Sequence, residues 1–163
     1  MKKLLIVYHS MTSGSLQMAR AAAEGAAQEP QTKTRMLHAS DTKFEDVLEA
    51  DGYIFVTPET LGSMSGLMKD FFDRTYYPVM NHVQGRPYAA MVCAGSDGSN
   101  AVRQIQRITT GWRLKAIAEP LIVCTHAQTP EAILKTKCLT EEDLQPCREV
   151  GQAIALGLAM GLF

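Results

Sequence analysis

The residues best suited to binding chemistry form a hydroxyl-rich segment near the start of the chain, residues 9–16, which reads His-Ser-Met-Thr-Ser-Gly-Ser-Leu. An alanine-rich helical pattern follows it directly. The first N–H groups of a helix have no intrahelical partner, and the helix dipole favours an anion there. Ser10, Thr12, Ser13 and Ser15 add neutral donors, and Gly14 lets the backbone approach closely. The segment predicts a phosphate site.

This phosphate prediction has a simpler alternative. Serine and threonine are common before any helix, so the segment is also typical of an ordinary N-cap loop. It contains no lysine or arginine. Hydroxyls, backbone N–H groups and the helix end are therefore expected to hold the anion alone.

Two further segments combine glycine with polar residues. Residues 57–66 read Thr-Pro-Glu-Thr-Leu-Gly-Ser-Met-Ser-Gly, where Pro58 turns the chain and Leu61 can line a flat heterocycle. The alternative is a solvated connection in which Glu59 has no partner. Residues 95–98 read Gly-Ser-Asp-Gly, and Asp97 there is equally typical of a turn before a helix N-cap.

The sequence lacks the residue spacings that mark zinc, thiol-redox and other phosphate-binding motifs. The chain has no C-x-x-C pair, no G-x-x-x-x-G-K-[ST] and no G-x-G-x-x-G after a strand. Cys93 and Cys124 lie in apolar runs and are expected to be buried thiols, whereas Cys138 and Cys147 lie in a polar segment that favours exposure. No metal site and no catalytic side chain is predicted.

The elements that must position these segments alternate along the chain. Apolar runs at residues 4–8, 32–37, 52–57, 87–94 and 116–124 predict five strands, each separated from the next by a helical pattern. This alternation indicates an α/β fold, a doubly wound parallel sheet with helices on both faces. Five strands are compatible with two strand orders, and one of them, the flavodoxin-like 2-1-3-4-5, places a ligand beside strands one and three, where the first two segments lie.

Composition limits the classes of function. The chain has 163 residues, predicted to form a single domain over residues 1–163, and a formal net charge of −1. The chain has no excess of basic residues, so its composition does not indicate nucleic-acid binding. It also has no apolar run long enough to span a membrane. The apolar run at residues 4–8 is too short for a signal peptide, so a cytoplasmic protein is expected.

The segment from residue 57 to residue 74 carries a specific resemblance. Thr-Pro-Glu at 57–59, followed by Gly-Ser-Met-Ser-Gly-Leu-Met-Lys-Asp-Phe-Phe-Asp-Arg at 62–74, resembles the flavodoxin-like NAD(P)H-dependent FMN reductases and related flavodoxin family proteins. Residues 10–15 are similar to the hydroxyl-rich FMN phosphate loop of flavodoxins. The resemblance covers nearly the whole chain. It implies a non-covalently bound FMN, with NAD(P)H as electron donor.

The resemblance also implies which residues bind the flavin. The phosphate residues are Ser10, Thr12, Ser13, Gly14, Ser15 and Leu16; those at the flavin ring and ribityl chain are Thr57, Pro58, Glu59, Thr60, Leu61, Gly62, Ser63 and Met64; and those on the other side are Gly95, Ser96, Asp97 and Gly98. Thr60 and Leu61 stand where many reductases have an aromatic residue, so no ring from this segment stacks on the flavin.

Three functions follow from the resemblance. The first is an FMN-dependent oxidoreductase that takes hydride from NAD(P)H and passes electrons to a quinone, a free flavin or another small acceptor. The second is a flavodoxin-type electron carrier that docks redox partner proteins; such carriers often present a strongly acidic face, which a net charge of −1 does not favour. The third is a binding module without flavin. Family analogy is also compatible with a homodimer.

Overall fold

The computed structural model describes residues 1–163, which form seven strands and six helices. The strands are β1 (Lys2–Tyr8), β2 (Thr32–His38), β3 (Gly52–Thr60), β4 (Ser63–Met64), β5 (Pro87–Ala94), β6 (Lys115–Ala116) and β7 (Leu121–Cys124). The helices are α1 (Gly14–Ala26), α2 (Phe44–Glu49), α3 (Gly66–Val79), α4 (Ser99–Gly111), α5 (Pro130–Leu134) and α6 (Glu141–Met160). No helix is both long enough and apolar enough to cross a membrane.

The main sheet is parallel and has the order β2-β1-β3-β5-β6, with β7 also paired to β5. The predicted strands four and five correspond to β5 and to β6 with β7. The predicted order 2-1-3-4-5 is therefore confirmed. The strand count differs because β4 forms an antiparallel hairpin with β3 and because the last predicted strand is interrupted.

The interruption corrects the prediction of one strand over residues 116–124. Lys115–Ala116 pairs with the start of β5 and Leu121–Cys124 with its end, and Pro120 lies between the two. Proline has no N–H to donate to a ladder, and a strand at the edge of a sheet tolerates such a gap. Pro120 was visible in the sequence, and the prediction extended the strand through it.

Helices cover both faces of the sheet, as predicted. On one face, Phe55 packs against Phe71 and Phe72 of α3, in a core cluster that includes Val7. On the other, Ile6 belongs to a core cluster that includes Met18 of α1 and Ile154 of α6. Alternate residues of β1 and β3 enter opposite clusters, which is the expected pattern for strands buried on both sides.

Helix α1 is held in place by glycines at two close contacts. A Cβ at Gly25 would collide with the carbonyl of Arg148, and a Cβ at Gly151 would collide with the carbonyl of Ala22. The two helices α1 and α6 therefore meet backbone to backbone. At its first residue, α1 also lies directly against Cys93 Sγ at the end of β5. These contacts fix the segment that precedes α1.

The cysteine predictions are confirmed in part. Cys93 is buried, Cys138 is exposed and all four thiols are free. Cys124 is only half-buried. The expectation of exposure was wrong for Cys147, which is fully buried because its position on α6 faces the cluster shared with α1. Its polar neighbours in sequence occupy the solvent side of the same helix.

Candidate functional site

Three segments meet at the carboxyl edge of the sheet, where β1, β3 and β5 lie side by side. They are residues 9–16 after β1, the β3–β4 hairpin, and residues 95–98 after β5. The N–H of His9 donates to the carbonyl of Val56, and Gly14 lies against Cys93. The structure thus brings the three segments that contain the predicted cofactor residues to one edge of the sheet.

The first segment contains buried hydroxyls without partners. Ser15 is 1 % exposed, and neither its Oγ nor the buried Oγ of Ser10 has a hydrogen-bond partner. Ser13 is the N-cap of α1 with a φ of 71°, and its side chain caps no helical N–H. Buried polar groups are normally hydrogen-bonded, so these groups fit a ligand that accepts hydrogen bonds. A phosphate at the helix N-terminus meets that requirement.

His9 is a third buried group without a partner in this segment. Its ring is 6 % exposed, Nδ1 makes no hydrogen bond, and the ring lies edge-on to that of His38 with centroids 5.4 Å apart. Burial lowers the pKa of His9, and the nearby charge of His38 lowers it further. Both effects disfavour the charged imidazolium in this segment of the ligand-free protein.

The second segment is a β-hairpin, which corrects the prediction that the strand ends at residue 57 and that Pro58 turns the chain off it. Strand β3 continues to Thr60, and Ser63 pairs with Thr60 across a two-residue turn. Leu61 and Gly62 both have positive φ, 50° and 74°, as a type I′ turn requires. Leucine rarely adopts this conformation, so the sequence carried no hairpin signal. The Leu61 side chain is fully exposed at the tip.

Three side-chain hydrogen bonds tie the hairpin to the start of α4. Glu59 Oε2 accepts from the Gly98 N–H at 2.7 Å, so the alternative in which this carboxylate has no partner is wrong. Asn100 Nδ2 donates to the carbonyl of Gly62 at 2.6 Å. The N–H of Met64 donates to Gln104 Oε1 at 2.8 Å. The second and third segments therefore form one braced unit.

The third segment forms a turn before helix α4, which was the alternative that the sequence offered for Asp97. Gly98 is the N-cap of α4 with a φ of 81°, and Asp97 accepts from both the N–H and the hydroxyl of Ser99. A Cβ at Gly98 would press on Ile122. The glycine is thus required by both the backbone angle and the packing, whatever ligand lies beyond it.

Residues 125–139 form a wall at this edge that the sequence did not reveal. The N–H of His126 donates to the carbonyl of Gly95 at 2.8 Å, and that of Lys137 to the carbonyl of Thr12 at 2.8 Å. Gln17 Nε2 donates to the carbonyls of Lys137 at 2.8 Å and Ser13 at 3.1 Å. The only local signal was Thr129-Pro130, an N-cap followed by proline, which begins the short helix α5.

An open groove of about 550 Å³ borders the hairpin. Its walls come from the hairpin and from helices α3 and α4, and the lining residues are Thr60, Leu61, Ser63, Met64, Gly66, Lys69, Gln104, Arg107 and Ile108. The volume is in the range of small-molecule sites. The second segment is therefore accessible from solvent on this side.

A family model described as NADPH-dependent FMN reductase matches residues 2–128. The chain belongs to this family. Curated relatives of this FMN reductase family member include a flavodoxin from Aquifex aeolicus (strain VF5), 27 % identical over 98 % of this chain and 89 % of the relative. An NAD(P)H dehydrogenase (quinone) from Acidithiobacillus ferrooxidans is 33 % identical over 46 % of this chain and 48 % of its own.

Solved structures establish the flavodoxin-like fold of this family member. A flavodoxin from the domain Archaea superposes with a TM-score of 0.77 at 20 % identity, covering 96 % of this chain and 98 % of that one. Family membership and fold support a flavin-dependent oxidoreductase or a flavodoxin-type activity. The matching family and the flavodoxin relative support FMN as the cofactor.

Proposed function

We propose that residues 1–163 form one FMN-binding domain that oxidises NAD(P)H and passes the electrons to a small acceptor. The observation that carries the proposal is the pair of buried, unpartnered hydroxyls of Ser10 and Ser15 at the N-terminus of α1. A phosphate dianion supplies acceptors for both, as well as for the free N–H groups of the helix.

The three segments have different roles in this proposal. Residues 10–16 bind the phosphate, the β3–β4 hairpin lines the ribityl chain and flavin ring, and residues 95–98 close the other side. The FMN supplies the redox chemistry when bound, accepting hydride and releasing electrons. The protein binds and orients it and leaves the groove beside the hairpin open for donor and acceptor.

The acceptor is proposed to be a quinone, a free flavin or another small molecule. One relative is named as a quinone-reducing NAD(P)H dehydrogenase, and the groove of about 550 Å³ has room for such a molecule. We place the protein in the cytoplasm, where NAD(P)H is available, and propose a homodimer by analogy with the family. Sedimentation of the FMN-loaded protein at several concentrations tests the dimer.

The first experiment is an anaerobic titration of the FMN-saturated protein with NADH and with NADPH. Loss of the flavin absorption band within seconds is expected, faster than for free FMN under the same conditions. The faster of the two nucleotides identifies the donor. A protein that fails to bind FMN contradicts the whole proposal.

A flavodoxin-type electron carrier is the second candidate. The match to a flavodoxin over 98 % of this chain favours it. Bound FMN that dithionite reduces, but that neither nicotinamide nucleotide reduces, supports the carrier and contradicts the reductase.

A further inference from the structure

The wall formed by residues 125–139 places a cation beside the predicted phosphate segment. Lys137 is half-buried, and its backbone is bonded to Thr12 on one side and Gln17 on the other. Its Cγ lies 3.8 Å from the position that a Cβ on Gly14 would occupy, so the stem of the side chain lies over the first residue of α1. The sequence had indicated a segment without any basic group.

The ammonium group of Lys137 is fixed by neutral groups only. Nζ donates to the carbonyls of Ala132 at 2.9 Å, Ile133 at 2.8 Å and Lys135 at 2.6 Å, at the end of α5. None of the ion pairs of the chain includes Lys137. Its three N–H bonds hold the charge in place, and no carboxylate neutralises it directly.

The charge of Lys137 also acts on Cys93, which lies at the same end of α1. Burial raises the pKa of Cys93 to about 11, and the positive charge of Lys137 opposes part of that rise. Cys93 Sγ is the atom that Gly14 lies against. Asp143, a smaller influence of opposite sign, is engaged by the N–H and hydroxyl of Thr140. A fixed positive charge therefore lies near the start of α1.

We propose that Lys137 is a positioning residue for the FMN phosphate, supplying from a distant segment the positive charge that residues 9–16 lack. The inference rests on the proposed function, since it needs a phosphate at α1. Lys137 acts through its field while its ammonium remains bonded to α5. It therefore favours flavins that carry a phosphate over those that do not, and salt weakens this preference.

Titrations of FMN and of riboflavin, which lacks the phosphate, separate this role from a structural one. Lys137→Gln removes the charge and keeps an amide that donates to the α5 carbonyls. We expect it to weaken FMN binding on the order of tenfold, as one fixed charge near a surface does, and riboflavin binding less than twofold. Lys137→Arg keeps the charge and is expected to retain most of the FMN affinity.

Lys135→Met is the matched control, because Lys135 is exposed, lies two residues away and uses only its backbone carbonyl toward Lys137. It is expected to leave both affinities unchanged. Equal losses for FMN and riboflavin in Lys137→Gln, or no loss for either, overturn the inference while leaving the proposed function intact. A wild-type protein that binds no FMN overturns both. If Lys137→Gln does not fold, Lys137→Met takes its place in the same comparison.

A salt titration of the wild-type protein is a second test. A preference for FMN over riboflavin that does not change with salt also overturns the inference.

Discussion

Glu59, near the end of β3, accepts a hydrogen bond from the backbone N–H of Gly98, the N-cap of α4, at 2.7 Å. This contact joins two of the three segments at the carboxyl edge before any ligand arrives. It also gives a charged acceptor to one of the helix N–H groups that would otherwise lack a partner. The brace makes the second and third segments a preformed part of the site.

Glu59→Ala is expected to lower the free energy of unfolding of the ligand-free protein by about 1–2 kcal/mol, because a charge-assisted hydrogen bond is lost. Glu59→Gln is expected to lose less, since the amide oxygen still accepts. Urea unfolding followed by circular dichroism measures both. Glu119→Ala, an exposed loop glutamate, is the control and should unfold like the wild type. Equal midpoints for all four proteins would show that the brace carries no stability.

Ser15→Ala is expected to weaken FMN binding about tenfold, because a buried donor to the phosphate is removed. The same change should leave the ligand-free protein as stable as the wild type or more so, since Ser15 Oγ is buried without a partner there. Flavin fluorescence titration and urea unfolding measure the two effects.

Thr109→Ala is the matched control for Ser15→Ala. Its hydroxyl is buried too, but it is bonded to the carbonyls of Ile105 and Gln106 within α4. This variant is expected to lose stability and to keep its FMN affinity. Unchanged FMN binding by Ser15→Ala would mean that the phosphate does not lie at Ser15.

The burial of His9 leads us to expect a loss of stability in mild acid. Its pKa in the folded protein lies below the ordinary value of 6.5, chiefly because the ring is buried. The unfolded chain therefore binds the proton more readily, so the free energy of unfolding falls as the pH drops below about 6.5. The loss continues until the pH reaches the lowered pKa of the folded state. Urea midpoints between pH 7.5 and pH 5 follow this change.

The His9→Asn variant is expected to flatten that part of the pH profile, whereas the exposed His82→Asn should keep the wild-type slope. A wild-type slope in His9→Asn would assign the acid sensitivity to another group.

Replacement of the half-buried Arg86 is expected to lower the free energy of unfolding more than the other substitutions do. Its Nη1 donates to the carbonyls of Val47, Leu48 and Ala50 and to the hydroxyl of the buried Tyr53. Arg86→Met removes these donor contacts and leaves the Val47 and Ala50 carbonyls with only the Tyr53 hydroxyl as a side-chain donor, so it is expected to cost roughly 3 kcal/mol. The folded fraction should bind FMN as the wild type does, because these contacts are remote from the three segments. Arg103→Met, whose side chain is exposed, serves as the control in urea unfolding.

The sequence predicted what depends on local pattern. The parallel sheet and its order follow from apolar runs that alternate with helical ones, and the segment proposed to bind the phosphate was picked out by its hydroxyls before a helix. The hairpin turn at Leu61 was not, because leucine disfavours the positive φ that the turn requires. The position of Lys137 was not recognisable from the sequence either, because its contact with Thr12 joins residues remote in sequence and no local pattern encodes it.

The two edges of the sheet limit how copies of this chain can associate. At one edge the outer strand is broken at Pro120 into pieces of two and four residues, so it offers no continuous row of N–H and C=O groups. At the other edge, β2 carries Lys33 and Arg35. Short strands and charges both discourage the addition of a foreign strand. Self-association of this protein is therefore expected to use its helices and loops, and the same edges are expected to disfavour aggregation through its sheet.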